Sequence, residues 1–98
     1  MKLADLINDY KDDKDTADAK YKGKRLRVSG FVGSKNPRGN DGAYVHIYAK
    51  SRRNSAMLIF GSQYRDQALA LKKAKNITVV CTGDGKISGP LLRDCVFP

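Results

Sequence analysis

Lys24-Arg25-Leu26-Arg27-Val28-Ser29-Gly30-Phe31-Val32 alternates apolar and polar positions. Leu26, Val28, Gly30 and Val32 share one side, while Arg25, Arg27 and Ser29 share the other. Successive side chains on a strand point to opposite faces, so the run predicts a half-buried β-strand. A glycine in mid-strand predicts a bulge or sharp bend at Gly30, as the first strand of a small barrel needs. By parity Phe31 belongs with the two arginines, and a bend at Gly30 that turns it inward makes it the weaker candidate for that face.

Downstream, Gly33-Ser34-Lys35-Asn36-Pro37-Arg38-Gly39-Asn40-Asp41-Gly42 has the composition of a long surface loop. A second strand follows, with Val45, Ile47 and Ala49 on one face and Tyr44, His46, Tyr48 and Lys50 on the other. Residues 50–55 form a basic turn, and Ala56–Phe60 reads as a third strand. Gln63–Lys73 then has helical spacing, with Tyr64, Ala68 and Leu71 on one side. Lys72, Lys73 and Lys75 crowd its C-terminal end, where the helix dipole favours cations. The β-branched run Ile77–Thr82 predicts a fourth strand, Gly83-Asp84-Gly85 a turn, and Leu91–Phe97 the last strand. The order β-β-β-α-β-β is that of a five-stranded OB-fold barrel, a mainly β architecture, although a general α+β sandwich gives a similar string.

Residues 1–22 differ from the rest. Leu3, Leu6, Ile7 and Tyr10 recur at helical spacing, and six of the ten aspartates lie here. The segment predicts an amphipathic helix, broken near Asp12-Asp13-Lys14-Asp15, and a second helical turn capped at Asp15 or Thr16. It reads as a helical extension laid against a barrel of residues 23–98.

With 98 residues there is room for one domain. Nineteen Lys and Arg stand against ten acids, a net charge of +9, and such a surplus captures polyanions, nucleic acid first among them. No apolar run approaches the ~20 residues of a membrane-spanning helix. Acids occupy the N-terminal stretch where an export signal needs an apolar core, which predicts a cytoplasmic protein. Cys81 and Cys95 read either as two buried thiols or as one disulfide of an oxidising compartment, so an exported form stays open. One histidine and two distant cysteines make no zinc site, and no other cofactor is implied.

Ala19-Lys20-Tyr21-Lys22-Gly23-Lys24 followed by Val28-Ser29-Gly30 resembles the entry to the first strand in the tRNA_anti-like group of OB-fold domains. Val79-Val80-Cys81-Thr82-Gly83, with Leu92-Arg93-Asp94-Cys95-Val96, is similar to that group's closing hairpin. The resemblance spans most of residues 17–98, with specific motifs only at its two ends. It implies an OB barrel with a role in binding nucleic acid, and relatives in exported or lipid-anchored proteins.

OB barrels that bind single strands use the outer surface of strands two and three and the two flanking loops. On that plan Tyr44, His46 and Tyr48 are flat partners for unstacked bases, each worth ~1–3 kcal/mol when used. Arg25 and Arg27 stand on the neighbouring strand. Lys35 and Arg38 lie in the first flanking loop, Lys50, Arg52 and Arg53 at the turn between strands two and three, and Lys86 in the last loop. These eleven residues are the expected site for single-stranded DNA or RNA. The competing reading makes the tyrosines ordinary cross-strand surface aromatics and the domain a protein-interaction module, with pairing into a homodimer left open. A variant has the acidic N-terminal segment lying over the basic face in place of phosphate. Catalysis is not expected: there is no Glu, any Ser-His-Asp set would rest on His46 alone, and Gly83–Ile87 lacks the spacing of a phosphate loop.

Overall fold

The alternation that begins at Lys24 becomes β1 (Arg25–Pro37) in the computed structural model, which describes residues 1–49, 54–87 and 89–98. β2 (Gly42–Tyr48), β3 (Ser55–Gly61), β4 (Asn76–Lys86) and β5 (Pro90–Val96) follow. They close into a barrel in the order β1-β2-β3-β5-β4, antiparallel throughout except for the parallel pair β3–β5. The expected five-stranded OB-type barrel is therefore present. Val28, Val32, Val45, Ile47, Leu58, Phe60, Val79 and Leu92 fill its interior and are all but inaccessible.

Both ends of the barrel are stoppered. α1 (Leu3–Asp12) turns Leu3, Leu6, Ile7 and Tyr10 into the same core. α2 (Lys14–Tyr21) begins at Asp13, whose carboxylate accepts from the Asp15 and Thr16 amides, so the cap lies two or three residues before the expected Asp15 or Thr16. The bulge is not at Gly30. Gly30 pairs in register with Ile77, and a β-carbon there would meet the side chains of Leu3 and Ile47 at 3.1–3.3 Å. Its small size admits α1 to the barrel mouth.

At the other end the expected helix Gln63–Lys73 is shorter. A 3₁₀ turn (Ser62–Tyr64) leads into α3 (Arg65–Leu69), which buries Ala68. It ends because the following backbone bonds to β1 instead: the Ala74 amide donates to the Val32 carbonyl at 2.7 Å, and the Val32 amide to the Lys75 carbonyl at 2.9 Å. Ala74 is left-handed, with φ 65°, which closes the turn. Lys72, Lys73 and Lys75 therefore ride on this turn and not on a helix end.

Two strands run further than their sequences suggest. Residues 33–37 extend β1 because an extra residue is accommodated as a bulge: Val32 faces Ile47, yet Lys35 faces Val45. β4 continues through Gly83-Asp84-Gly85 to Lys86. Gly83 is required there, since a β-carbon would lie 2.3 Å from the Tyr21 carbonyl oxygen. Cys81 and Cys95 are joined across β4 and β5 as a disulfide, which replaces the reading as two thiols.

Candidate functional site

On β2, Val45 and Ile47 are fully buried, so the residues between them point out of the barrel. Tyr44, His46 and Tyr48 thus stand half-buried on the outer surface, opposite Ile59, Met57 and Ser55 of β3. On the other side Phe31 pairs with Tyr48 and Asn36 with Tyr44. The Phe31 and Tyr48 ring centroids are 5.7 Å apart and tilted, and Phe31 is 39% exposed. Ser34 Oγ lies 3.0 Å from His46 Nδ1, a hydrogen bond that fixes the imidazole orientation. The Arg38 guanidinium sits 5.8 Å from the Tyr44 ring centroid, within cation–π range. Two adjacent strands, β1 and β2, therefore carry four rings on one surface, with a cation at one corner and β3 alongside.

A groove borders this surface. His46, Ser55 and Met57 form its floor, and Ile87, Gly89, Pro90 and Leu91 its wall, enclosing about 140 Å³. The wall runs from the end of β4 to the start of β5, and Ile87 in it is 82% exposed. Lys86 lines the adjoining cleft with Lys11 and Asn54.

The remaining expected cations separate into three groups. Arg25 and Arg27 lie on the half of β1 that pairs with β4, opposite Thr82 and Val80, and do not join the rings. Arg25 is bound there: its Nη1 donates to Thr82 Oγ1 at 3.0 Å and to the Asp94 carbonyl at 2.8 Å. Lys35 is not a loop residue. The bulge reverses its parity so that it points inward, and its ammonium donates to the Leu69 (3.1 Å) and Leu71 carbonyls at the end of α3. Lys50, Arg52 and Arg53 fall outside the described residues. Phe31, the weaker candidate from the sequence, lies on this surface, and Ser34 and Met57 join it there without having been expected. The parity that Phe31 shares with Arg25 and Arg27 was the available signal.

The acidic segment is occupied with its own packing. Tyr21 donates its hydroxyl proton to Asp9, and Lys20 approaches at 3.2 Å, together holding that carboxyl below its usual range. Lys14 and the Tyr10 hydroxyl do the same for Asp18, each at 2.9 Å. Burial and then the Asp18 contact hold the Tyr10 phenol well above its ordinary value. Half of the six N-terminal acids, Asp13 with its cap included, are thus engaged within the helix pair.

The tRNA_anti-like family model matches residues 1–96. The fold is shared with a candidate nucleic acid-binding lipoprotein of Klebsiella pneumoniae: TM-score 0.80, 18% identity, 98% of this chain and 89% of that one. It is also shared with part of a candidate aspartyl-tRNA synthetase of Leishmania major: TM-score 0.68, 10% identity, 95% of this chain and 19% of that one. No curated protein sequence matches the chain. Among the described residues no helix is long and apolar enough to cross a membrane.

Proposed function

This chain belongs to the tRNA_anti-like family, and on that premise we propose that its outer β1-β2-β3 surface binds single-stranded nucleic acid. The observation that carries the reading is the set of four rings, Phe31, Tyr44, His46 and Tyr48, on one open surface. Unstacked bases find flat partners on such rings, while cations hold the phosphates. Arg38 at one corner and Lys86 beyond the groove supply charge at its margins. A duplex hides its base faces, so it gains only the electrostatic part.

Fluorescence titration with single- and double-stranded oligonucleotides at two salt concentrations tests this. Single strands are expected to bind more tightly, with a log–log salt slope of about −3 to −4 for some four to six phosphate contacts. Two stacking rings at ~1–3 kcal/mol each predict that the double variant Tyr44→Ala/Tyr48→Ala binds at least ~30-fold more weakly. Parental affinity in that variant, with the fold intact, would refute the stacking surface.

The disulfide favours an oxidising compartment for this chain over the cytoplasm expected from its N-terminal composition.

A further inference from the structure

We propose that the turn Lys72-Lys73-Ala74-Lys75 is a phosphate-binding rail along the β1 edge of the ring surface. The inference rests on the nucleic-acid reading above and assigns the cations which that reading lacks. Arg25 and Lys35, two of the expected phosphate partners, have their charged groups bound to carbonyls of the protein itself. The three turn lysines do not. All three are exposed, and their ammonium groups make no hydrogen bond or ion pair among the described residues. They would suit a helix end, but α3 stops at Leu69, so helix-dipole stabilisation does not account for them.

Position supplies the rest. The turn is pinned to β1 at Val32 by two backbone hydrogen bonds, one residue from Phe31. Asn76, next to Lys75, is the cross-strand partner of Phe31, which in turn faces Tyr48. The turn thus borders the Phe31–Tyr48 end of the ring surface, within the path open to a strand stacked on those two rings. The left-handed Ala74 and the bonds to Val32 anchor the backbone of the turn to β1, so the three lysines project from one short segment next to the strand that carries Phe31. A concentrated positive edge of this kind fits a phosphodiester backbone.

The test compares the parent with Lys72→Gln/Lys73→Gln/Lys75→Gln and with a charge-matched control, Lys20→Gln/Lys22→Gln/Lys24→Gln. A third variant, Lys72→Arg/Lys73→Arg/Lys75→Arg, keeps the charge. Binding of a fluorescent single-stranded oligonucleotide is followed across a salt series. Three lost contacts should make the salt slope shallower by about 2 in the turn variant. The control and the arginine variant should keep the parental slope. An unchanged slope in the turn variant, or an equal loss in the control, overturns the rail while leaving the ring surface standing. Absence of single-strand binding by the parent overturns both readings at once, and binding of the parent to anionic vesicles alone would reassign the turn to a membrane surface.

Discussion

Deleting residues 1–21 should unfold the protein, although the segment looks like an appendage in the sequence. Leu3, Leu6, Ile7 and Tyr10 are each at most 4% exposed, in one cluster with Val28, Ile47 and Leu58 of the barrel. Burying a large apolar side chain contributes about 1.5–3 kcal/mol, so four contribute about 6–12 kcal/mol. A domain this size has roughly 5–15 kcal/mol in total. The truncated chain also exposes Gly30 and the barrel mouth that α1 fills. The assay is urea denaturation followed by far-ultraviolet circular dichroism, on residues 22–98 beside the parent. Leu6→Ala, a single buried deletion, supplies the graded case and should cost about 2–5 kcal/mol. A truncated chain that unfolds cooperatively with the parental midpoint would refute the reasoning. It would also revive the idea that the acidic segment is a removable cover, for which loss of the segment should raise nucleic-acid affinity.

Two other perturbations follow from the same contacts. The Cys81–Cys95 bridge spans 14 positions, and a loop of that length is worth about 3 kcal/mol, so reduction should lower the melting temperature by roughly 12–24 °C; two thiols per chain titrating in denatured, never-reduced protein would deny the bridge altogether. Hydrogen bonds from Tyr21 and Lys20, from the Thr16 and Asp15 amides, and from Lys14 and Tyr10 hold the carboxyls of Asp9, Asp13 and Asp18 below the usual carboxylate range, so their stabilisation is complete above that range and is lost as pH falls through the lower folded values. Tyr10 and Tyr21 are raised, so their contribution is present below pH 10 and disappears above it. Urea midpoints measured against pH should therefore fall on both sides of neutrality. Asp9→Asn/Asp18→Asn should flatten the acid limb, and an unaltered acid limb would contradict these assignments.

The strand pattern was legible because burial and alternation are the same fact. Leu26 to Val32, Val45 to Ile47 and Ala56 to Phe60 each displayed their buried side directly, and the outward placement of Tyr44, His46 and Tyr48 came with it. What the sequence hid was where pairing overrides composition. Residues 33–37 look like a loop because they hold Gly, Ser, Asn and Pro, yet β2 supplies a partner and they extend β1. Gln63–Lys73 keeps helical spacing, but the Val32 amide and carbonyl take up residues 74 and 75 and end the helix early. The bulge expected at Gly30 lies between Val32 and Lys35, and Gly30 itself leaves space for Leu3. Val32 and Leu3 each lie more than twenty residues from the segment they alter, whereas β2 follows residues 33–37 after a short turn.

The bulge at Gly33-Ser34 ties these departures together. One extra residue in β1 reverses the parity of everything after it. Before the bulge, the outward side chains are Arg25, Arg27 and Phe31, facing β4. After it, Ser34 reaches His46, Asn36 faces Tyr44, and Lys35 turns in to hold the end of α3. Without the bulge, Lys35 would stand among the rings and the last carbonyls of α3 would lose their cation. The inserted residue thus removes a lysine from the centre of the ring surface and spends it on closing the barrel. On the proposed reading, the charge for a phosphate backbone comes from the edges, at Arg38, Lys86 and the Lys72–Lys75 turn. A site with rings in the middle and cations at its rim is what the physics of stacking requires, since a base lying on a ring must displace water and a central ammonium would have to be desolvated with it.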